Sequence, residues 1–164
     1  MALTRESTPQ TRPQLDYVFT IELDLDHQKS RTRGERTPSG LRYGYISVDG
    51  GHVYGPRLSG RVLPGGGDGP TIGMDDYPAF DARYILELDD GTLVRFENRG
   101  MREPTPSGAP ALDGSEIYFR TVPTMRVPPG PHEWLGRSIF IGAGRHTPTG
   151  NRIDYFLVSE AGKA

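Results

Sequence analysis

The residues with the most chemistry in them are charged side chains inside strand-like runs. Arg83 stands between Ala82 and Tyr84, and Arg120 follows Tyr118 and Phe119. Asn98 and Arg99 close the run 93–98, and Asp68 and Asp81 bracket the irregular stretch before Arg83. An arginine on the inner face of a closed sheet needs an acidic partner or an anionic ligand, because an unpaired buried charge is very costly. With a ligand present, Asp68 or Asp81 would move a proton. Arg83 or Arg120 would steady a developing enolate or phenolate, and Tyr118 would donate a hydrogen bond. Trp134, the single tryptophan, either fills the core or floors a pocket. Tyr43, Tyr45, Tyr84 and Tyr118 present the same choice, and Asn98 is a further polar candidate. The competing reading of each charge is a structural Asp–Arg pair or a solvated outer face.

Other chemistries find no support. There is no cysteine, which removes disulfides, thiol catalysis and Cys-zinc sites together. No Gly-x-Ser-x-Gly elbow, phosphate-binding Walker loop or His-Glu-x-x-His is present. Gly65, Gly66 and Gly67 are followed by Asp68 rather than Lys-Ser/Thr and read as a tight corner. His27, His52, His132 and His146 show no metal-ligand spacing and read as surface or loop histidines. No metal and no cofactor is therefore expected. Nineteen basic against 21 acidic residues disfavour nucleic acid as a partner. No apolar run approaches the roughly 18 residues of a membrane span, and no signal-peptide pattern is visible. The expectation is a soluble, cytoplasmic protein without a membrane partner.

The elements that would position these residues are strands. At 164 residues the chain fits one domain. Its 22 glycines and 15 prolines are about twice ordinary usage and argue against long helices. Residues 1–14 read as a polar leader, 15–158 as one domain and 159–164 as a polar tail. Tyr17, Phe19, Ile21, Leu23 and Leu25 recur at every second position, the period of a strand with one buried face. A loop is expected over 26–40, strands over 41–48 and 58–63, and a turn at Asp49-Gly50-Gly51. Pro64 to Pro70 is the strongest breaker, and 71–80 has no clear period. Strands over 82–88 and 92–98 flank an Asp89-Asp90-Gly91 hairpin turn. A long loop over 100–114 follows, then strands over 116–125, 138–143 and 153–158. Eight to ten short strands with few helices suit an all-β, single-domain antiparallel barrel of the lipocalin or calycin kind, with a sandwich as the lesser choice. The long strand over 16–25 would be safer paired, which makes a homodimer plausible.

Five segments in order carry a family likeness. They are Gly50-Gly51-His52-Val53-Tyr54-Gly55-Pro56-Arg57-Leu58-Ser59-Gly60, Val62-Leu63-Pro64-Gly65-Gly66-Gly67-Asp68 and Asp81-Ala82-Arg83-Tyr84. Tyr118-Phe119-Arg120-Thr121-x-Pro123 and Trp134-Leu135-x-Arg137-Ser138-Ile139-Phe140-Ile141-Gly142 complete the set. In this order and spacing the chain resembles domain-of-unknown-function family 3237, also called uncharacterised protein family 0311. The resemblance covers roughly residues 15–158. It implies an all-β, barrel-like domain without a cofactor, and recurring polar positions at Asp68, Asp81, Arg83, Tyr118 and Arg120 with Trp134 beside them. One departure is Gly69, where the family commonly has tryptophan after the aspartate. If that tryptophan lines a pocket, the pocket here is wider or differently shaped.

Three functions follow as expectations. The first is a cofactor-independent enzyme acting on a small, partly apolar carbonyl or phenolic compound, as an isomerase, hydro-lyase or cyclase. The second is a non-catalytic carrier or sensor of a small molecule. The third is a structural domain with a filled barrel, which predicts no pocket and carboxylate partners for Arg83 and Arg120.

Overall fold

The computed structural model describes residues 11–31, 34–105 and 117–161; of His27 and Arg31 only the backbone is described. Most of the leader, most of the 100–114 loop and the end of the tail lie outside these residues. Eleven strands appear in chain order: β1 (Pro13–Arg31), β2 (Arg42–Tyr43), β3 (Tyr45–Tyr54), β4 (Gly60–Val62), β5 (Gly66–Asp68) and β6 (Thr71–Ile72). They continue as β7 (Pro78–Leu88), β8 (Leu93–Arg102), β9 (Phe119–Arg126), β10 (Phe140–His146) and β11 (Gly150–Glu160). One short 3-10 helix spans Glu133–Gly136. Among the described residues no helix is long and apolar enough to cross a membrane.

The sheet is antiparallel and closes on itself. Its order runs β7, β4, β3, β1, β11, β10, β9, β8, and β8 pairs back onto β7. β5 extends the place of β4 between β3 and β7, so the barrel has eight staves. Closure removes the sheet edges on which strands of other chains could pair. Strand β1 pairs with β11 from Pro13 to Asp24 and with β3 from Thr20 to Arg31, so it has strand partners on both sides only from Thr20 to Asp24.

Several boundaries differ from the sequence expectation for one physical reason: glycine can sit inside a strand where backbones crowd. Asp49-Gly50-Gly51 is not a turn but the middle of β3. A Cβ at Gly51 would lie 2.0 Å from the carbonyl oxygen of Glu22, and its φ of 149° is one that residues with side chains rarely adopt. The breaker 64–70 contains β5, and a Cβ at Gly66 would meet the Arg83 carbonyl and the Tyr84 Cβ at 2.6 Å. The glycines thus let a short strand slot against β7. The tight corner is confined to Gly65, at φ 104°. Elsewhere, without that cause, β1 runs through Asp26 to Arg31 where a loop was expected and β6 lies in the stretch without period, while β8 continues through Gly100 to Arg102. The Asp89-Asp90-Gly91 turn forms as expected, with Gly91 at φ 84°.

Inward-facing residues form two layers. Around Phe19, Phe96, Phe140 and Tyr155 the barrel is packed solid, and none of these four exposes surface. Phe19 stacks on Tyr155 at 5.0 Å between centroids, Tyr84 on Phe96 at 5.2 Å, and Phe96 meets Tyr155 edge-on at 5.4 Å. The 3-10 helix closes this end by inserting Leu135, with Trp134 against Phe140 at 5.7 Å. At the other end, near Leu25, Phe80, Phe119 and Asn151, the interior is not filled.

Candidate functional site: the open end of the barrel

The unfilled end holds a cavity lined by Leu23, Leu25, Ile46, Val48, Phe80, Ala82, Phe119 and Ile153, with four polar members, Asp68, Asn98, Thr121 and Asn151. It is narrow. The space open to the centre of a water molecule is about 30 Å³, and the empty space around it, mouth included, is about 400 Å³. An apolar wall with a few convergent polar groups is the usual make-up of a small-molecule site.

Asp68 is the ionisable group on that wall. β5 places it: Asp68 pairs with Ile46 and with Ala82, both of which line the cavity. Burial pushes its carboxyl up to about 6, and the like charge of Asp81 adds to the rise. The backbone N–H groups of Asp81 and Gly69 work against it by stabilising the carboxylate. The Asp81 N–H donates to Asp68 Oδ1 at 3.0 Å. A carboxyl poised near neutral pH can exist in either form, which suits proton transfer.

Behind the cavity surface lies a set of buried polar atoms without a hydrogen-bond partner: Tyr84 Oη, Asn98 Oδ1, Thr121 Oγ1, Tyr155 Oη and His146 Nε2. The Tyr155 hydroxyl lies among those of Tyr84 and Thr121, yet no member of the trio closes a bond of full geometry. Burial raises the pKa of both phenols, so they remain protonated donors. Buried polar groups are normally paired, and a cluster of exceptions marks a place for water or ligand.

The rim carries His146 and Arg102. His146 pairs with Asn151 across β10 and β11, and its Nδ1 lies 2.9 Å from Asn151 Oδ1. Its ring packs against Phe119 at 5.9 Å. Burial, and then the charge of Arg102, depress its pKa, so the imidazole is neutral around pH 7. Arg102 lies directly opposite Phe119 in the β8–β9 ladder, so the two share the inner face. Burial pulls its guanidinium below its ordinary value.

The expected site residues divide sharply. Asp68 and Asn98 line the cavity, and Tyr84 stands buried behind it. The rest are elsewhere. Arg83 is exposed on the outer face, with Nε 3.1 Å from Asp81 Oδ1, and Arg99 Nε lies 3.4 Å from Asp81 Oδ2. Asp81 is therefore an outer-face partner for two arginines that helps Asp68 through its backbone. Arg120 is exposed, bonds the Phe119 carbonyl at 2.9 Å and lies over the exposed ring of Tyr118. Tyr43 is exposed on β2. Trp134 lies at the closed end under the guanidinium of Arg57, 4.0 Å from its ring centroid. Gly69 is exposed, and a Cβ there would meet nothing within 4 Å.

Thr121, Asn151, Tyr155, Arg102 and His146 were not anticipated. Alternation could have supplied Thr121 and Tyr155, since they share a strand face with Phe119 and Ile153. For His146 the signal is the run Phe140-x-Gly142-x-Gly144-x-His146, in which the glycines leave room for Thr121 and Phe119. The filled-barrel expectation holds for one end of the molecule and fails at the other.

Fold and cavity together define a class: a small, closed antiparallel β-barrel, solid at one end and hollow at the other. Within it, the chain belongs to the family described as Protein of unknown function (DUF3237), which it matches over residues 13–158. It is 31% identical to a UPF0311 protein of Clostridium acetobutylicum over 87% of this chain and 92% of that one. A UPF0311 protein of Rhodopseudomonas palustris is 36% identical over 79% of this chain and 87% of the relative. The crystal structure of a conserved protein of unknown function from Rhodopseudomonas palustris superposes with a TM-score of 0.78 at 30% identity, covering 93% of this chain and all of that one. An enzyme from Penicillium herquei shares the fold at a TM-score of 0.71 and 18% identity, over 94% of this chain and all of its own.

Proposed function

We propose that this protein is a cofactor-independent enzyme that moves a proton on a small, partly apolar carbonyl or phenolic compound held in the open end of the barrel. The observation that carries the reading is Asp68: a carboxyl with a pKa of about 6, on the wall of a cavity, beside buried hydroxyl and amide groups that lack partners. As the carboxylate, Asp68 removes a proton from carbon alpha to a carbonyl or from a phenol. As the acid, it returns one at a second atom. That sequence covers isomerisation, addition or loss of water, and ring closure by conjugate addition. A placed proton-transfer group contributes about 10²–10⁴-fold. Arg83, Arg120 and Tyr118 lie outside the barrel, so the developing oxyanion is met by the Thr121 hydroxyl, with Tyr155 behind it, while the unpartnered Asn98 Oδ1 accepts from a donor on the ligand. The enzyme from Penicillium herquei is consistent with catalysis on this fold, although fold likeness does not transfer an activity.

Deuterium exchange tests the reading. A panel of enolisable ketones, enones and acidic phenols is incubated with the protein in D₂O and followed by proton NMR. At least one compound should exchange or convert with the wild type, and Asp68→Asn should lower that rate by about 10²–10⁴-fold while binding persists. A compound that binds tightly but neither exchanges nor converts, with Asp68→Asn changing affinity only modestly, would make the protein a carrier instead.

A further inference from the structure

The rim has a cation that the described structure does not neutralise. Arg102 faces inward beside Phe119, which lines the cavity. Among the described residues it forms no ion pair; its guanidinium donates to the backbone carbonyl of Glu103 at 3.0 Å. Three exposed arginines of β7 and β8 have carboxylate partners, whereas exposed Arg120 on β9, like Arg102, donates to a backbone carbonyl. Arg83 and Arg99 share Asp81, and Arg95 pairs with Glu97. Those three face solvent, where a partner contributes little. Arg102 is half-buried, where a partner matters more, and has none of that kind among the described residues. Nor does Asp68 serve: the charge that acts on it is that of Asp81, with no cation offsetting it. One end of the barrel thus holds a carboxyl and a guanidinium that do not pair with each other. The rings of Phe80 and Phe119, 5.3 Å apart, form part of the cavity wall at the same end. His146 feels the charge of Arg102 and keeps Nε2 buried and unpartnered.

We infer that the rim formed by Arg102 and Phe119 is a subsite for an ionised oxygen, so that the barrel selects small apolar acids, carboxylates or acidic phenols, over neutral compounds of the same shape. The acidic oxygen binds Arg102 through charge-assisted hydrogen bonds, and the ligand body lies against Phe80 and Phe119 with its far end toward Asp68. The inference rests on the cavity being a ligand site and adds which ligand enters.

Two pairs of isosteres separate the claims. Cyclohexanecarboxylate is compared with cyclohexanecarboxamide, and 4-nitrophenolate with 4-nitroanisole, each titrated into the full chain near pH 8 and followed by amide NMR shifts. The anion of at least one pair should bind about tenfold or more tighter than its neutral partner, with shifts centred on Arg102, Phe119 and Asn151. The pair that shows it names the acid class. Arg102→Gln should erase that preference, a loss of roughly 10–100-fold for the anion alone, in line with a hydrogen bond to a charged group. Arg102→Lys keeps the charge and loses the two-pronged contact, so it should bind several-fold weaker yet retain the preference. It decides the matter if the Gln variant does not fold. Arg120→Gln, on the outer face, should change nothing. Equal binding of anion and isostere, or a preference that survives Arg102→Gln, overturns the subsite and leaves the cavity reading standing. Shifts that never reach cavity residues with any of the four compounds overturn both.

Discussion

The two ends of this barrel are built from the same strands and solve opposite problems. At the closed end the inward residues are Phe19, Phe96, Phe140 and Tyr155, interlocked ring on ring and plugged by Leu135 from the 3-10 helix. At the open end the same strands present Leu23, Asn98, Thr121, Gly144 and Asn151, which are smaller or polar, and the interior stays hollow. A sheet needs only one packed layer to hold its register, because a one-residue slip would expose that whole layer. The second layer is then free to carry groups that cost stability. Removing a ring from each layer should show the asymmetry. Phe96→Ala, at the junction of two aromatic contacts, should cost about 3–5 kcal/mol in urea unfolding. Phe80→Ala, half-buried at the cavity, should cost no more than half as much, because part of its surface already faces the void. Equal losses would mean that the open end collapses onto a core of its own.

Asp68 sharpens the same contrast through pH. Its folded pKa of about 6 lies above the ordinary 3.8, so the folded state keeps this proton where the unfolded state has lost it. Its contribution favours folding most below about pH 4, falls as pH rises through 6, and is flat above. The drop is at most about 3 kcal/mol, and solvent at the mouth reduces it. Asp81 and Asp90 act with the opposite sign at lower pH. Hydrogen bonding by Arg83 lowers the first, and the Thr92 backbone N–H brings the second down to about 2. The wild type alone would blend these effects, so the informative quantity is the difference from Asp68→Asn. That variant should gain nothing near pH 4 and about 1–3 kcal/mol above pH 7, measured by urea midpoints at several pH values. A difference independent of pH would mean that Asp68 is solvated and unperturbed. Gain of stability with loss of turnover is the signature expected of a functional carboxyl.

Much of this was legible in the sequence. Period-two runs located most of the barrel strands. The same alternation settles which arginines face in. Ala82, Tyr84, Leu86 and Leu88 share the inner face, which puts Arg83 outside. Phe119 and Thr121 do the same for Tyr118 and Arg120. Those charges stand in strands, yet strand position alone does not bury a residue. Asp68 was legible as a residue but not as a cavity wall, because its strand is three residues long and two of them are glycine. Arg102 was hidden by the prolines and glycines after it, which made residues 100–114 read as one loop. Whether Asp49-Gly50-Gly51 turns or continues is decided by the backbone of Glu22 pressing on Gly51, a contact across 29 residues of chain. No local pattern contains that contact.

The smallest effect tests the boundary between the two layers. Tyr155 belongs to both: its ring stacks on Phe19 in the packed layer, and its hydroxyl points among those of Tyr84 and Thr121 without closing a hydrogen bond. In a purely structural barrel a buried hydroxyl earns its place by a bond, and Tyr155→Phe would cost about 1–1.5 kcal/mol. With no bond to lose, the ligand-free protein should instead be unchanged or up to about 1 kcal/mol more stable as the phenylalanine variant, since an unpaired buried hydroxyl is itself a cost. Thermal unfolding without ligand distinguishes the two signs. A stabilised Tyr155→Phe that also turns over more slowly would place the functional boundary one layer deeper than the cavity surface. A destabilised one would return Tyr155 and Tyr84 to the core and leave the chemistry to Asp68, Asn98 and Thr121.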